Sequence, residues 1–160
     1  MIDSIAGRLH SKQPTEIIID INGFRLKLNI SVPTYDHLPN KDETVDLLTY
    51  LHVREDILDL YGFSSVEERK LFLLLIAITG IGPRSAMTIL SGTNPREFKN
   101  RIIAGDVKSL TRVPGIGPKT AKRIILELKE KFVAFQEDDN LDFLSTETTP
   151  LHNDAILALM

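Results

Sequence analysis

Gly80-Ile81-Gly82-Pro83-Arg84-Ser85-Ala86 returns 35 residues later as Gly115-Ile116-Gly117-Pro118-Lys119-Thr120-Ala121. Five of the seven positions are identical, and the other two exchange Arg for Lys and Ser for Thr. Such self-similarity marks an internal repeat of one supersecondary unit. Each copy has the chemistry of a tight reversal between two helices. The glycines permit the turn and a close approach of backbone, the isoleucine plugs the gap, and the proline starts the second helix where its missing N–H costs nothing.

A helix that begins this way points unpaired N–H groups and the positive end of its dipole outward, which suits a phosphate. Arg84 and Lys119 occupy the same place in the two copies, one residue after the proline. Lys122 and Arg123 follow Lys119 at helical spacing and share its face, while Ala121, Ile124, Ile125 and Leu128 form the apolar stripe. The candidate contact set is therefore Gly80, Ile81, Gly82, Arg84 and Ser85 in the first copy. In the second it is Gly115, Ile116, Gly117, Lys119, Thr120, Lys122 and Arg123. A single copy would be equally well read as a packing device between helices. Two copies, each followed by a cation, favour phosphate binding. A nucleotide-binding glycine loop fails, because no G-x-x-x-x-G-K-[ST] and no preceding strand are present.

Outward from the repeat, Ser65 with Glu68 predicts a capping box, and Leu71, Leu74, Leu75 and Ile78 recur at helix spacing. Asn94-Pro95 with Glu97 opens another helix that Gly105 closes. Residues 64–132 are thus expected to read helix, hairpin helix, connector helix, short helix, hairpin helix.

Residues 1–63 carry the strand period instead. Phe24, Leu26, Leu28, Ile30 and Val32 alternate with Arg25, Lys27, Asn29 and Ser31. Before them stand Glu16 to Ile21 and then Asn22-Gly23, the strongest short hairpin pattern, since both central residues of a type I′ turn need positive φ. Val45 to Val53 alternates again, and Ile57 to Phe63 returns antiparallel beside it. With Ile2 to Leu9, bent or bulged at Gly7, this makes five short strands, which are expected to curl into an OB-like barrel, an SH3-like barrel being the alternative.

The turn between the last two strands carries Arg54-Glu55-Asp56. It reads as a solvated turn, as a carboxylate pair for a metal, or as a tip that repels phosphate. Two neighbouring acids do not converge on a metal unaided. His10, His37, His52 and His152 are scattered, so no metal site, catalytic constellation or cofactor is expected.

The 160 residues, 42% hydrophobic and 26% charged, have the balance of a globular protein. There is no cysteine, which excludes a disulfide framework and thiol chemistry and is compatible with a cytoplasmic location. The N-terminus lacks the basic flank and apolar run of an export signal, and no membrane partner is expected. The net charge of −3 conceals a division. Residues 1–63 hold 6 Lys+Arg against 10 Asp+Glu (net −4), residues 64–132 hold 13 against 6 (net +7), and residues 133–160 hold none against 6 (net −6). The middle segment is the one that suits a polyanion.

An OB-like barrel ending in VREDILDLYGF (Val53 to Phe63), followed by TGIGPRSAMTILSG (Thr79 to Gly92) and VPGIGPKTAKRIILELK (Val113 to Lys129), resembles the RuvA family, the Holliday-junction-binding subunits of the bacterial branch-migration machine in recombination and repair. The likeness runs collinearly over residues 1 to about 132. It implies a non-catalytic homotetramer, or octamer, that clasps a four-way junction without reading bases, passes it to the RuvB AAA+ motor and works alongside a RuvC-type resolvase. Glu55 and Asp56 match the family's acidic pin. The family also carries a third helical domain on a flexible linker. Here residues 133–150 are expected to be that linker and residues 151–160 the start of a domain that the chain does not complete. The competing expectation is a structure-specific nuclease or nuclease accessory, since helical hairpins also accompany such enzymes.

Overall fold

The computed structural model describes the backbone of residues 2–146 and the side chains of residues 2–134. Five strands come first: β1 (Ser4–Gln13), β2 (Glu16–Ile21), β3 (Phe24–Ile30), β4 (Thr44–Val53) and β5 (Leu58–Phe63), with a short helix α1 (Val32–Asp36) between β3 and β4. They close into a barrel in the order β1-β2-β3-β5-β4, and β1 pairs with both β2 and β4. All pairings are antiparallel except β3 with β5, where Asn29 faces Tyr61 and Ile30 faces Gly62 in parallel register. The OB-like reading holds.

Local chemistry explains the corners. Asn22 (φ 53°) and Gly23 (φ 90°) form the two-residue turn joining β2 to β3. Asp20 locks it, accepting from the Gly23 N–H at 2.8 Å and from Arg25 Nε at 3.0 Å. The bulge in β1 lies between Leu9 and Ser11 rather than at Gly7. Gly7 answers a different need, for a Cβ there would stand 2.6 Å from the Asp20 carbonyl oxygen.

Two expectations for β3 fail at its ends. Val32 is not a strand residue but opens α1, where Ser31 Oγ caps the Thr34 N–H and Pro33 fixes the first turn. Phe24, at the start of the strand beside the turn, is 67% exposed. The buried alternation is confined to Leu28 and Ile30, which join Ile5, Leu9, Ile17, Ile19, Val45, Leu47 and Leu60 inside the barrel.

Five helices follow: α2 (Val66–Ile76), α3 (Pro83–Ser91), α4 (Pro95–Ile103), α5 (Val107–Thr111) and α6 (Pro118–Thr146), in the expected order. Asn94 Oδ1 caps α4 through the Arg96 N–H, and Gly105 closes it at φ 67°. The expected linker from residue 133 does not start there. Helix α6 continues to Thr146, because no Gly or Pro interrupts the chain between Pro118 and Pro150. Residues 147–160, with the expected start of a third domain, lie outside the described residues. Among the described residues no helix is long and apolar enough to cross a membrane.

The helical core borrows from the barrel. Tyr61 and Phe63 on the outer face of β5, with Leu48 and Tyr50 on β4, pack against α2. Phe72 sits among them, its ring 4.9 Å from Phe63, 5.3 Å from Tyr50 and 5.4 Å from Tyr61. Alternation in β4 and β5 therefore feeds two cores, one from each face.

Candidate nucleic-acid interface

The two Gly-Ile-Gly-Pro loops have the same internal geometry. Gly80 (φ 94°) and Gly115 (φ 88°) make the reversal in the left-handed region. Ile81 and Ile116 are each 6% exposed and plug the helical core. Their N–H groups are already used, donating to the carbonyls of Ile78 and Val113. Both isoleucines thus support the loops from the core side, as the plug read from the sequence, with their own amides engaged inside the turn.

The outward-facing groups lie one residue further on. Gly82 caps α3 without any side-chain hydrogen bond, and Pro83 opens the helix. The first amides to close a helical bond are those of Ala86, to Gly82, and of Ala121, to Gly117, each at 2.9 Å. The N–H groups of Arg84 and Ser85, and of Lys119 and Thr120, precede that point, as the first amides of any helix do. Open space surrounds the position a Cβ would take on Gly82 and on Gly117. A phosphate can therefore approach this backbone without meeting a side chain.

Arg84, Ser85, Lys119, Lys122 and Arg123 are exposed, and Thr120 is half-buried. Among the described residues Arg84, Lys119, Lys122 and Arg123 enter no ion pair, whereas Arg8, Arg25 and Lys27 on the barrel are paired with Asp20, Asp42 or Glu16. The cations of the two loops are therefore available to a polyanion. Arg84 also stands at the lip of a groove between barrel and α3, with Val32, Tyr61, Met87 and Ser91 in its walls. Burial chiefly, and then the Asp59 carboxylate, push the Tyr61 hydroxyl up, while neighbouring Arg84 opposes them.

The loops are braced by one another. Arg123 donates to the Thr79 carbonyl at 2.8 Å and lies 3.5 Å from where a Cβ on Gly80 would be. Thr88, the residue 35 positions earlier, lies 3.4 Å from the corresponding point on Gly115. Each copy thus seats its eighth residue after the first glycine against the glycine of the other, a local two-fold relation. Sequence reasoning gave Arg123 only a ligand-facing role. The repeat offset linking 88 to 123 was the pattern from which the bracing could have been read.

The acidic tip lies elsewhere, between β4 and β5. Arg54 N donates to Ile57 O at 2.8 Å and Ile57 N to Arg54 O at 3.4 Å, so Glu55 and Asp56 occupy the two corner positions and are exposed. Among the described residues no three His, Asp or Glu side chains gather at metal-ligating separation.

Comparison with known proteins bears on both modules. The model of the RuvA N terminal domain matches residues 1–62, and that of the SAM-like helix-hairpin-helix tandem matches residues 72–130. A protein of Chloroherpeton thalassium named Holliday junction branch migration complex subunit RuvA is 46% identical over 164 aligned residues, covering 100% of this chain and 81% of that protein. The chain belongs to the RuvA family. Proteins of the same name from Geobacter metallireducens (46% identical, 82% of this chain and 66% of that protein) and Flavobacterium psychrophilum (43% identical, 92% and 76%) extend the RuvA likeness. The RuvA-type order of modules is the one described above, barrel first and paired hairpins after.

Proposed function

We propose that this RuvA-family chain is a non-catalytic subunit that binds four-way DNA junctions by shape and supports branch migration by a RuvB motor in recombination and repair. The observation that carries the reading is the duplicated loop. Two glycine-opened helix starts, each with an unpaired cation one residue past the proline, stand braced in one rigid pair within a module of net +7. Paired sites of this kind hold phosphates on a duplex arm and position it, with no access to base edges.

The contacts belong to the backbone at Gly80, Gly82, Gly115 and Gly117 and to the side chains of Arg84, Ser85, Lys119, Thr120, Lys122 and Arg123. Glu55 and Asp56 act oppositely. Carried on an exposed tip, they keep phosphates off the tip and so discriminate against a continuous duplex lying across it. Four copies, one per arm, reuse a single set of contacts on a four-fold target. The absence of cysteine fits a reducing cytoplasm. A RuvC-type resolvase would act on the same junction.

Native mass determination of the protein mixed with a four-way junction in magnesium tests this reading. Four or eight chains on one intact junction are expected. Cleaved strands would turn the assignment to the nuclease alternative, and an unbound junction would remove it.

A further inference from the structure

We propose that Glu68 is a positioning residue that locks the barrel against the hairpin module, and that junction preference depends on it although it touches no DNA. The inference rests on the junction-binding reading for its functional consequence but not for the lock itself. Glu68, on the first turn of α2, is 2% exposed, and the two hydroxyl residues that meet it, Ser31 and Thr34 of α1, are fully buried. Thr34 Oγ1 donates to Glu68 Oε2 at 2.6 Å, and Ser31 Oγ donates to Oε1.

Each hydroxyl also accepts from backbone, Ser31 Oγ from the Thr34 N–H at 3.2 Å and Thr34 Oγ1 from the Ser64 N–H at 3.0 Å, and the Thr34 hydroxyl lies closer to the Glu68 carboxyl, at 2.6 Å, than to Ser64 Oγ, at 3.4 Å. The Glu68 N–H is itself capped by Ser65 Oγ at 3.2 Å. The expected capping box is thus half realised: the serine caps the helix, while the glutamate turns away to grip α1. Beside the knot, the Val32 N–H donates to Ser91 Oγ of α3 at 3.1 Å, a second tie from α1 to the first hairpin.

The rest of the contact between the modules is the aromatic packing around Phe72, which resists separation but is weakly directional, and Arg69 of α2, which donates to the Asp3 carbonyl at 2.9 Å and to the Asp3 carboxylate at 3.0 Å, an ion pair whose acid is exposed and screened by solvent. Hydrogen bonds to a buried carboxylate are short and directional, and losing one leaves a buried polar group without a partner. The knot therefore sets the angle at which the repelling tip is carried relative to the phosphate-holding loops. Junction recognition requires both at once, whereas a duplex needs only the loops.

Because the chain has no native cysteine, Asp46→Cys on β4 and Asn100→Cys on α4, both exposed, allow a pair of spin labels to report the distance between modules. In the otherwise unaltered protein, with labelled chains diluted into an excess of unlabelled ones so that only the distance within one chain is read, one narrow distance distribution is expected. Thr34→Val and Glu68→Gln, each verified as folded by circular dichroism at the measuring temperature, are expected to broaden or split it. An unchanged distribution overturns the lock. In unlabelled protein the same two variants are expected to lower junction affinity about tenfold while leaving duplex affinity within about twofold, the signature of misplaced but intact sites. Equal loss on both substrates would reduce Glu68 to a stability residue and overturn its role in selectivity. If the unaltered protein showed no junction preference, the proposed function would fall, and the distance measurement alone would still decide the lock.

Discussion

Within each loop the two glycines answer different demands, and substitution separates them. Gly80 and Gly115 need positive φ, which an L side chain adopts at a cost of about 1–2 kcal/mol, so Gly80→Ala or Gly115→Ala should lower stability by that order in denaturant titrations. Gly82 and Gly117 have ordinary dihedrals, and a methyl group there meets nothing. Gly82→Ala and Gly117→Ala should leave stability within about 1 kcal/mol, since the lost helix cap and the stiffer unfolded chain offset each other. Yet they should weaken binding to any duplex arm, because the methyl occupies the space a phosphate would enter. Equal DNA affinity in the second pair would remove backbone contact from the account. The sequence displayed these glycines plainly, since a repeated spacing needs no tertiary knowledge. It could not separate their duties, nor reveal that Ile81 and Ile116 have already committed their amides.

Helix starts and hairpin tips set the next level. Arg84→Glu with Lys119→Glu reverses the cation at both loops and should weaken junction and duplex alike, with a salt dependence shallower by about one unit of slope for each phosphate left without its cation. Affinities that do not move would remove the loops as the binding elements. At the tip the expected effect is opposite in kind. Glu55→Gln with Asp56→Asn should strengthen duplex binding and thereby shrink the preference for a junction, read as the ratio of the two dissociation constants. An unaltered ratio would end the repulsive role of the tip.

Helix α5 offers a check on capping. Asp106 accepts from the Ser109 hydroxyl at 2.6 Å and from the Ser109 N–H at 3.0 Å, and these bonds hold its carboxyl below the ordinary aspartate value of 3.8. A pKa lowered in the folded state stabilises fully above the unfolded value, and the contribution is lost as pH falls through the folded one. Asp106→Ala should therefore destabilise at pH 7, with the difference from the unaltered chain shrinking below about pH 4 in parallel unfolding curves. Elements of this size were legible because their punctuation is local: Asn22-Gly23, Asn94-Pro95, Gly105. Helix α1 was not, since Val32 continues the apolar alternation of β3 and only the Ser31 cap and Pro33 mark the change.

For the molecule as a whole, a net charge of −3 resolves into a helical module of +7, the one proposed to hold phosphates, a barrel of −4 whose Arg8, Arg25 and Lys27 are ion-paired and whose tip is acidic, and −6 over residues 133–160. Charge blocks survive in a linear reading because they add along the chain. What a linear reading lacks is the pairing of residues far apart in it: the parallel closure of β3 on β5, the grip of Arg123 on Thr79, and the knot of Glu68 with Ser31 and Thr34. Each depends on a polar or backbone group whose partner lies tens of residues away, with no periodicity to announce it. These long-range ties keep the hairpin loops and the acidic tip in one arrangement, which on the proposed function is the physical content of recognition by shape.

The most direct test of that arrangement is an equilibrium competition in which a labelled four-way junction bound by the protein is challenged with unlabelled duplex of equal total length, at fixed magnesium and salt. The account requires that duplex displace the junction only at a large molar excess, at least about tenfold. Displacement at equal concentrations would contradict it.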